Sequence, residues 1–508
     1  ITPARNTHTM LLHKMHPGGL GAAAVALCRR SLSGKGHRHY DVAVIGSGGG
    51  AKISTPASRL GRKVALFEVG PLGGTCLNRG CIPSKMLIHA ADVAQQVTQA
   101  HRFHLHPSPM RCQVDLPSLV TEVSETVDAE SQSIIPGIES NPNLDWYRHD
   151  RAHFIGPKQL QCGDFTITAD LVFVAGGGRP AFPSHIDGLS KVPFLTSTEA
   201  LRLTELPNRL CILGGGYIAC EMAHYFGSLG SQVTMMVRSK LVRSADVELQ
   251  QEFERVFSQK HRVLSQTTPH RVSHDGSQFW VSFGKDDDRE PFDQLLVATG
   301  ITPNSDWVDA KAGGLELLPG GFIKVDDRLK TNVDGVYALG DINGNWQFRH
   351  AVNFEGEYLM ETVIHGAHDD PIDYTGMPYA MFTSPQLAGV GPSEEELRRN
   401  GIDFVKGVNK YANSAMGMAL KSEEGFVKLL VEVQTRKILA CHIVGHEAST
   451  LLHEVTPLIR LGGTLENILY SIHAHPSLSE LVRNAARKAR DALVERGDVP
   501  VPLRLRLK

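Results

Sequence analysis

Apolar residues fall along the chain in short runs that stop at glycine. The first clear run is Val42, Val44 and Ile45 in "YDVAVIGSGGGA", which breaks at Gly46. A helical stretch follows, then a second apolar run, "KVALFE", ending at Glu68. Strand, glycine turn, helix and strand make a βαβ unit. The helix carries β-branched residues and Pro56 in "KISTPASRLG", which predicts a distorted helix. The pattern recurs over residues 210–239: an apolar strand, a glycine turn, a helix that stops at Gly230, and a strand "QVTMMV". Two further pieces, "LVFVAGGGRP" and "LLVATGITPN", run from an apolar strand through glycine into proline, and "GVYALGD" ends at Asp341. From about residue 371 the pattern changes. "FVKLLVEVQTRKILACHIVG" alternates as a hairpin with its turn near Thr435, and helices follow, ending in "PSLSELVRNAARKARDAL". The expected fold class is α/β, with two Rossmann-like units and a C-terminal α+β domain.

Each βαβ unit carries a dinucleotide fingerprint. The first is Gly46-x-Gly48-x-x-Ala51, with the acid Glu68 about twenty residues on. Its first glycine makes the turn and its second lets backbone approach a pyrophosphate. The third position must be small so that helix and strand can close, and Glu68 can accept from a ribose hydroxyl pair. The second unit has Gly214-x-Gly216-x-x-Ala219. Two complete units imply two bound dinucleotides, a flavin and a nicotinamide nucleotide. In the second unit Val237 stands where an acid would bind a free 2′-hydroxyl, and Arg238, Lys240 and Arg243 follow. Basic residues there suit a 2′-phosphate, so NADP(H) is expected over NAD.

The chain has 508 residues, too many for one core, and two to four domains are expected. The first forty residues lack Asp and Glu but hold Arg5, Lys14, Arg29, Arg30, Lys35 and Arg38. With their Ala, Ser and Leu they read as a mitochondrial transit peptide over residues 1–38, which places the protein in the matrix; the alternative is a basic tail. Net charge is −2 for the whole chain, so the body without those six cations stands near −8. That argues against a nucleic-acid partner. No apolar run is long enough to span a bilayer. The expected layout is a first nucleotide domain over 39–189 and 310–370, a second over 190–309, an interface domain over 371–495 and a tail from 496.

Of eight cysteines, only Cys76 and Cys81 lie close together in turn chemistry, in "GGTCLNRGCIPSK". A structural disulfide, half a metal site or a redox pair could use that spacing. No second ligand pair at zinc spacing accompanies it, so no metal is expected. Spacing alone leaves the structural and redox readings equal. The adjacent nucleotide site and a helix-like run after Cys81, whose N-terminus would stabilise a thiolate, favour redox chemistry. Near the C-terminus, Ser477 and Glu480 are spaced as a capping box, with His475 in a surface loop. A dithiol, however, needs a base, and an imidazole oriented by a carboxylate supplies one.

With these residues on view, "GGTCLNRGCIPSK" resembles the redox signature of the FAD-dependent pyridine nucleotide–disulfide oxidoreductases, a family that includes dihydrolipoamide dehydrogenase and the mycothione, glutathione and mercuric reductases. The likeness runs from about Tyr40 to Ala492, with the motifs in the same order. It implies FAD at the first fingerprint and NAD or NADP at the second, reached by the "ATG" strand that ends at Gly300. It implies Cys76 as the thiol that exchanges with substrate and Cys81 as the charge-transfer thiolate. Lys85 would approach the flavin and pair with Glu221, and Asp341 would bind the FAD ribityl and pyrophosphate region. His475 and Glu480 of "HAHPSLSE" would be an acid–base dyad reaching the disulfide from the other subunit of a homodimer. That motif is closest to the dihydrolipoamide dehydrogenase form, which implies a dihydrolipoamide or lipoyl-domain substrate and a 2-oxo acid dehydrogenase complex as partner. "VRSKLVR" and "ANSAMGMALKSEEGFVKL" instead resemble NADP-using and mycothione reductases, so dihydrolipoamide is the leading expected substrate and NADPH-driven reduction of a small disulfide is the alternative. Ile301 and the "AGG" at Ala175 depart from the family pattern.

Overall fold

The computed structural model describes residues 36–106, 113–148, 150–284 and 288–497. The expected leader lies outside these residues up to position 35; its last three positions belong to strand β1 (Gly36–Ile45). Cys28, Cys112 and the tail from 498 also lie outside the described residues.

The first sheet forms because β1, β2 (Val64–Phe67) and β6 (Phe165–Val174) carry apolar side chains on both faces of their C-terminal halves. Val42, Ala43, Val44, Val64 and Val172 have no exposed surface, as expected of strands covered on both sides. With β3 (Leu144–Tyr147), β4 (His153–Gly156) and β5 (Gln159–Cys162) the order is β3-β2-β1-β6-β5-β4. Strands β1 and β2 are parallel, with Val42 opposite Val64. Helix α1 (Ala51–Arg59) connects them and runs through Pro56 without a break. Pro56 sits in a helix of only nine residues, so its missing N–H forfeits a single bond. Then come α2 (Gly74–Arg79), α3 (Cys81–Gln99) and the short strand β7 (Gly178–Pro180).

The second unit repeats the plan. Strands β8 (Arg209–Leu213), β9 (Gln232–Val237), β10 (Arg262–Ser265) and β14 (Gln294–Val297) form a parallel sheet in the order β10-β9-β8-β14. Helix α4 (Tyr217–Leu229) joins β8 to β9 and stops at Gly230, whose φ of 122° favours glycine. Strands β11 (Arg271–His274), β12 (Phe279–Ser282) and β13 (Arg289–Phe292) form a separate antiparallel sheet. Strand β15 (Ile301–Pro303) pairs back to β7, and β16 (Val336–Ala338) returns to the first sheet beside β6. Helix α5 (Val247–Phe257) follows β9, and α6 (Arg349–Leu359) follows β16.

The third unit is a five-stranded antiparallel sheet of β17 (Pro378–Met381), β18 (Gln386–Val390), β19 (Phe404–Lys410), β20 (Phe426–Glu432) and β21 (Ile438–Gly445). The hairpin read from "FVKLLVEVQTRKILACHIVG" is β20–β21, with Arg436 at φ 60° in its turn. The last helix, α7 (Glu480–Glu495), buries Leu481, Ala485, Ala489 and Leu493 against this sheet. No helix of the described residues is long and apolar enough to cross a membrane.

A buried ion cluster ties the second unit to the third. The Lys428 ammonium, with no exposed side-chain surface, donates to Asp246 at 3.0 and 3.1 Å and to Glu394 at 2.5 Å, and lies 2.9 Å from Glu248. Asp246 also caps α5, accepting from the Leu249 amide, and follows Arg243 by three residues. Charges taken from water survive only when matched, so removing one partner costs far more than the pair contributes. Lys428→Met should therefore destabilise the protein by about 3–5 kcal/mol at neutral pH. The deficit should shrink as acid protonates the stranded carboxylates, which thermal unfolding followed against pH would show.

Candidate active site

Cys76 sits in α2 and Cys81 opens α3, and only Gly80 separates the helices. A side chain there would meet the Thr75 carbonyl at 2.9 Å, so the link demands glycine. Asn78, within α2, donates to the carbonyls of Pro71, Leu72 and Gly74 at 3.2, 2.9 and 2.9 Å and fixes the loop that presents Cys76. Its part was not legible in the sequence, since a lone Asn between two cysteines has no distinctive spacing. Both thiols are free; Cys76 is half-buried and Cys81 is exposed. They hydrogen-bond each other, and the pair is electrically asymmetric. The Cys76 thiol and then Lys85 pull the Cys81 pKa down to about 7. The same hydrogen bond, with burial, pushes Cys76 well above the ordinary thiol range, against a downward pull from Arg349. In the dithiol form, then, the negative charge belongs on Cys81 and the proton on Cys76.

Lys85 lies one turn beyond Cys81 on α3. Its ammonium donates to both Glu221 oxygens, at 2.8 and 2.7 Å, and stands 4.7 Å from the centre of the Phe382 ring. Glu221, on α4 and 9% exposed, also accepts from the Phe382 amide at 3.0 Å. The expected Lys85–Glu221 pair is thus present, and Phe382 joins it from the third unit.

At the first fingerprint Gly46 has φ 96°, and a Cβ would stand 2.3 Å from the Ala175 carbonyl oxygen. At the Gly48 Cβ position the nearest atoms are the Gly74 Cα at 3.7 Å and an Arg349 nitrogen at 3.9 Å, so the backbone is bare there with a guanidinium beside it. The expected role of Ala51 is corrected. Ala51 is exposed, and Gly50 makes the close helix–strand approach, since a Cβ there would come 2.2 Å from the Gly46 carbonyl and 2.5 Å from Val44. The turn runs through Gly50 before α1 begins, which moves the tight contact one residue earlier. Glu68 accepts from the Ser47 amide and hydroxyl at 3.0 and 2.9 Å and from the Gly70 amide at 2.9 Å, so its carboxylate is locked to the turn. Asp341 sits just past β16; burial pushes its pKa up, and it makes no hydrogen bond to protein among the described residues. A bare glycine backbone with a guanidinium beside it, an uncapped helix N-terminus and a partly buried acceptor without a protein partner fit the diphosphate and polyol chain of FAD.

The second fingerprint keeps the expected register. Gly214, at φ 130°, would meet the Ala298 carbonyl at 2.2 Å, and Ala219 is fully buried under the turn. Gly216 and Gly300 both face open space. Beyond β9, Arg238, Lys240, Arg243 and Gln266 border a cleft of about 510 Å³. The three cations form no ion pair among the described residues. These features fit a nicotinamide dinucleotide.

His475 and Glu480 are brought together as expected. His475 Nδ1 is 3.0 Å from both Glu480 oxygens, and that contact first, then the Ser477 amide, lowers the Glu480 pKa. The capping-box alternative forms only by half: the Ser477 amide donates to Glu480 at 3.2 Å, but α7 starts at Glu480, after Ser479, and the Ser477 hydroxyl donates to the Ala474 carbonyl. The His475 side chain is 70% exposed.

Residues 40–357 match the family model for pyridine nucleotide-disulphide oxidoreductases, and residues 377–486 match the dimerisation domain of the same family, which supports a homodimer. Mycothione reductase of Mycobacterium tuberculosis is 34% identical over 464 residues, covering 88% of this chain and 98% of its own. Mitochondrial dihydrolipoyl dehydrogenase 1 of Arabidopsis thaliana is 32% identical over 91% of this chain and 92% of its own. Mercuric reductase of Streptomyces lividans is 32% identical over 89% and 96%. Among solved structures, the HOCl-induced flavoprotein disulfide reductase RclA of Escherichia coli superposes with a TM-score of 0.79 at 26% identity, over 88% of this chain and 99% of its own. The chain therefore belongs to the pyridine nucleotide–disulphide oxidoreductase family, and it is an FAD-dependent disulfide oxidoreductase with Cys76 and Cys81 as its cysteine pair.

Proposed function

We propose that the protein reduces a low-molecular-weight disulfide with NADPH. The observation that carries this reading is the basic cleft beyond β9. Val237 leaves no acceptor for a free ribose hydroxyl, while Arg238, Lys240 and Arg243 offer unmatched positive charge to a 2′-phosphate.

The residues act in a set order. Cys76 gives its proton to the partner subunit's His475, whose imidazolium Glu480 stabilises, and attacks one sulfur of the disulfide. The substrate S–S bond breaks, a mixed disulfide forms on Cys76, and the imidazolium returns the proton to the leaving thiolate. The Cys81 thiolate then attacks the Cys76 sulfur and expels the second thiolate, which takes a proton from solvent through the same imidazole. A Cys76–Cys81 disulfide remains. Bound FAD supplies the two-electron relay between the nicotinamide and this pair. Throughout, Lys85, held by Glu221, keeps a positive charge beside Cys81.

A second reading, oxidation of dihydrolipoamide with NAD⁺, runs the same thiol steps backwards. It is favoured by the form of "HAHPSLSE" and by the likeness to dihydrolipoyl dehydrogenases. Stopped-flow mixing with each nucleotide and each sulfur substrate separates the two. The proposal expects NADPH to exceed NADH in kcat/KM about a hundredfold. Fast NAD⁺ reduction by dihydrolipoamide, with NADPH slower than NADH, would overturn it. Replacing Arg238 and Arg243 together by Ala should lower the NADPH:NADH preference at least tenfold, mainly through KM.

The thiol assignments have their own readouts. Cys81→Ser should release about one thiol per subunit from a disulfide and then stop, because the mixed disulfide has no resolving thiolate. Cys76→Ser should release none. In Cys76→Ser, iodoacetamide alkylation followed against pH should give the midpoint of Cys81 alone, with Lys85 beside it pulling that midpoint down. Adding Lys85→Met should move that midpoint up, since it removes a cation that favours the thiolate. His475→Gln should cut turnover by about 10²–10⁴ while FAD stays bound.

A further inference from the structure

The basic cleft beyond β9 is bordered by one continuous turn. Arg238, Lys240, Arg243, Ala245 and Val247 all line it, and the turn enters α5 at Val247. Its conformation is not one the chain favours locally. Val242 has φ 45°, in the left-handed region that a β-branched side chain resists, and it is 3% exposed. Backbone held there needs surrounding contacts to keep it. One is the Val242 amide, which donates to the Gly215 carbonyl of the second fingerprint at 2.8 Å. The next fixed point is Asp246. Ala245 and Val247 border the cleft, but Asp246 between them is buried and sends its carboxylate into the Lys428 cluster instead. Lys428 donates to it at 3.0 and 3.1 Å, and the Glu394 amide donates to Oδ2 at 3.1 Å. Both donors belong to the third unit, on β20 and between β18 and β19. The cap on α5, from the Leu249 amide to Oδ1 at 3.4 Å, is the local contact of the same carboxylate. Lys406 of β19 repeats the link to the third unit, donating to Glu248 at 2.6 Å.

We propose that Asp246 is a positioning residue for the nicotinamide nucleotide: clamped by Lys428 and the Glu394 amide, it holds the turn so that Lys240 and Arg243 meet the 2′-phosphate of NADP(H). This deepens the NADPH reading above and rests on it. The dimerisation domain thereby supports a preference whose cations all lie in the second nucleotide unit. Without the clamp the strained turn spends part of its time in other conformations, and affinity for the phosphate falls by the fraction lost. NAD(H) has no 2′-phosphate to meet those cations, so its affinity changes little. The clamp therefore acts on the ratio of the two affinities.

Calorimetric titration of the oxidised, FAD-loaded enzyme with NADP⁺ and with NAD⁺ reads that ratio without turnover. Asp246→Asn keeps an oxygen for the Leu249 amide, so α5 stays capped. It loses the charge that Lys428 matches and turns an N–H toward the Glu394 amide. The NADP⁺:NAD⁺ affinity ratio should fall about fivefold, and the same loss should appear in kcat/KM through KM. A variant that merely unfolds in part lowers both affinities together and leaves the ratio alone. Lys428→Met should lower the ratio to the same extent, and the double variant should fall no further, since both changes break one contact. Glu394→Gln takes a carboxylate from the cluster but leaves Lys428 and the Glu394 amide on Asp246, so the ratio should stay within about twofold of wild type. Should Lys428→Met fail to fold, Asp246→Asn and Glu394→Gln still decide the matter. An unchanged ratio in Asp246→Asn would overturn the proposal and leave the reductase reading standing. An equal fall in Glu394→Gln would also overturn it, by assigning the effect to the packing of the cluster. A wild-type enzyme that binds NAD⁺ as tightly as NADP⁺ would overturn the reductase reading itself, and this proposal with it.

Discussion

The Lys85–Glu221 ion pair is the contact on which the site depends. It joins α3, which begins with Cys81, to α4 of the second nucleotide unit, and the Phe382 amide and ring close it from the third. A carboxylate 9% exposed accepts from an ammonium and an amide, so all three units must dock for it to be matched. The ammonium that satisfies Glu221 is the one that favours the Cys81 thiolate. Domain docking and thiol reactivity are thus one electrostatic problem. A second contact on the same helices, Asp92 to the buried His224 at 2.7 Å, holds α3 against α4 in that register.

The charge arrangement around the pair also explains how two similar thiols take different tasks. Cys81 has a helix N-terminus and a cation; Cys76 has burial and a neighbour that competes for the proton. One thiol stays charged while the other waits for a base. His475 and Glu480, the dyad proposed as that base, lie within the residues that match the dimerisation domain, and the His475 side chain is 70% exposed. An acid–base pair placed in this way suits a site completed at the subunit interface.

Much of this was legible along the chain because it rests on local rules. Glycine turns after apolar runs locate β1, α1, β8 and α4, since only glycine tolerates φ near +100° against a carbonyl 2.3 Å away. The cysteine spacing, "IPSK", "GYIACE" and "HAHPSLSE" point to six side chains, which the fold arranges in two groups, Lys85 and Glu221 with the cysteines in one and His475 with Glu480 in the other. Where local reading failed, the cause was a neighbour distant in sequence. Ala51 was chosen by fingerprint spacing, but the course of the first turn hands the close approach to Gly50. The capping box at Ser477 meets every local rule but forms only by half: the Glu480 carboxylate takes the Ser477 amide together with His475, and the serine hydroxyl goes to Ala474. Asn78, Phe382 and Arg349 carried no spacing signal, because their partners lie in other elements.

By itself, then, the sequence determined what depends on neighbours a few residues away: the two nucleotide turns, the pairing of Cys76 with Cys81 in one segment, and the basic run after β9. Tertiary structure alone decided which carboxylate meets which cation, that Lys428 would be buried among three acids, and that Arg349 would stand over Gly48 of the first turn. The physical reason is range. Backbone conformation is set by contacts along the chain, whereas charge and burial are set by whatever packs nearby, however far away in sequence it began.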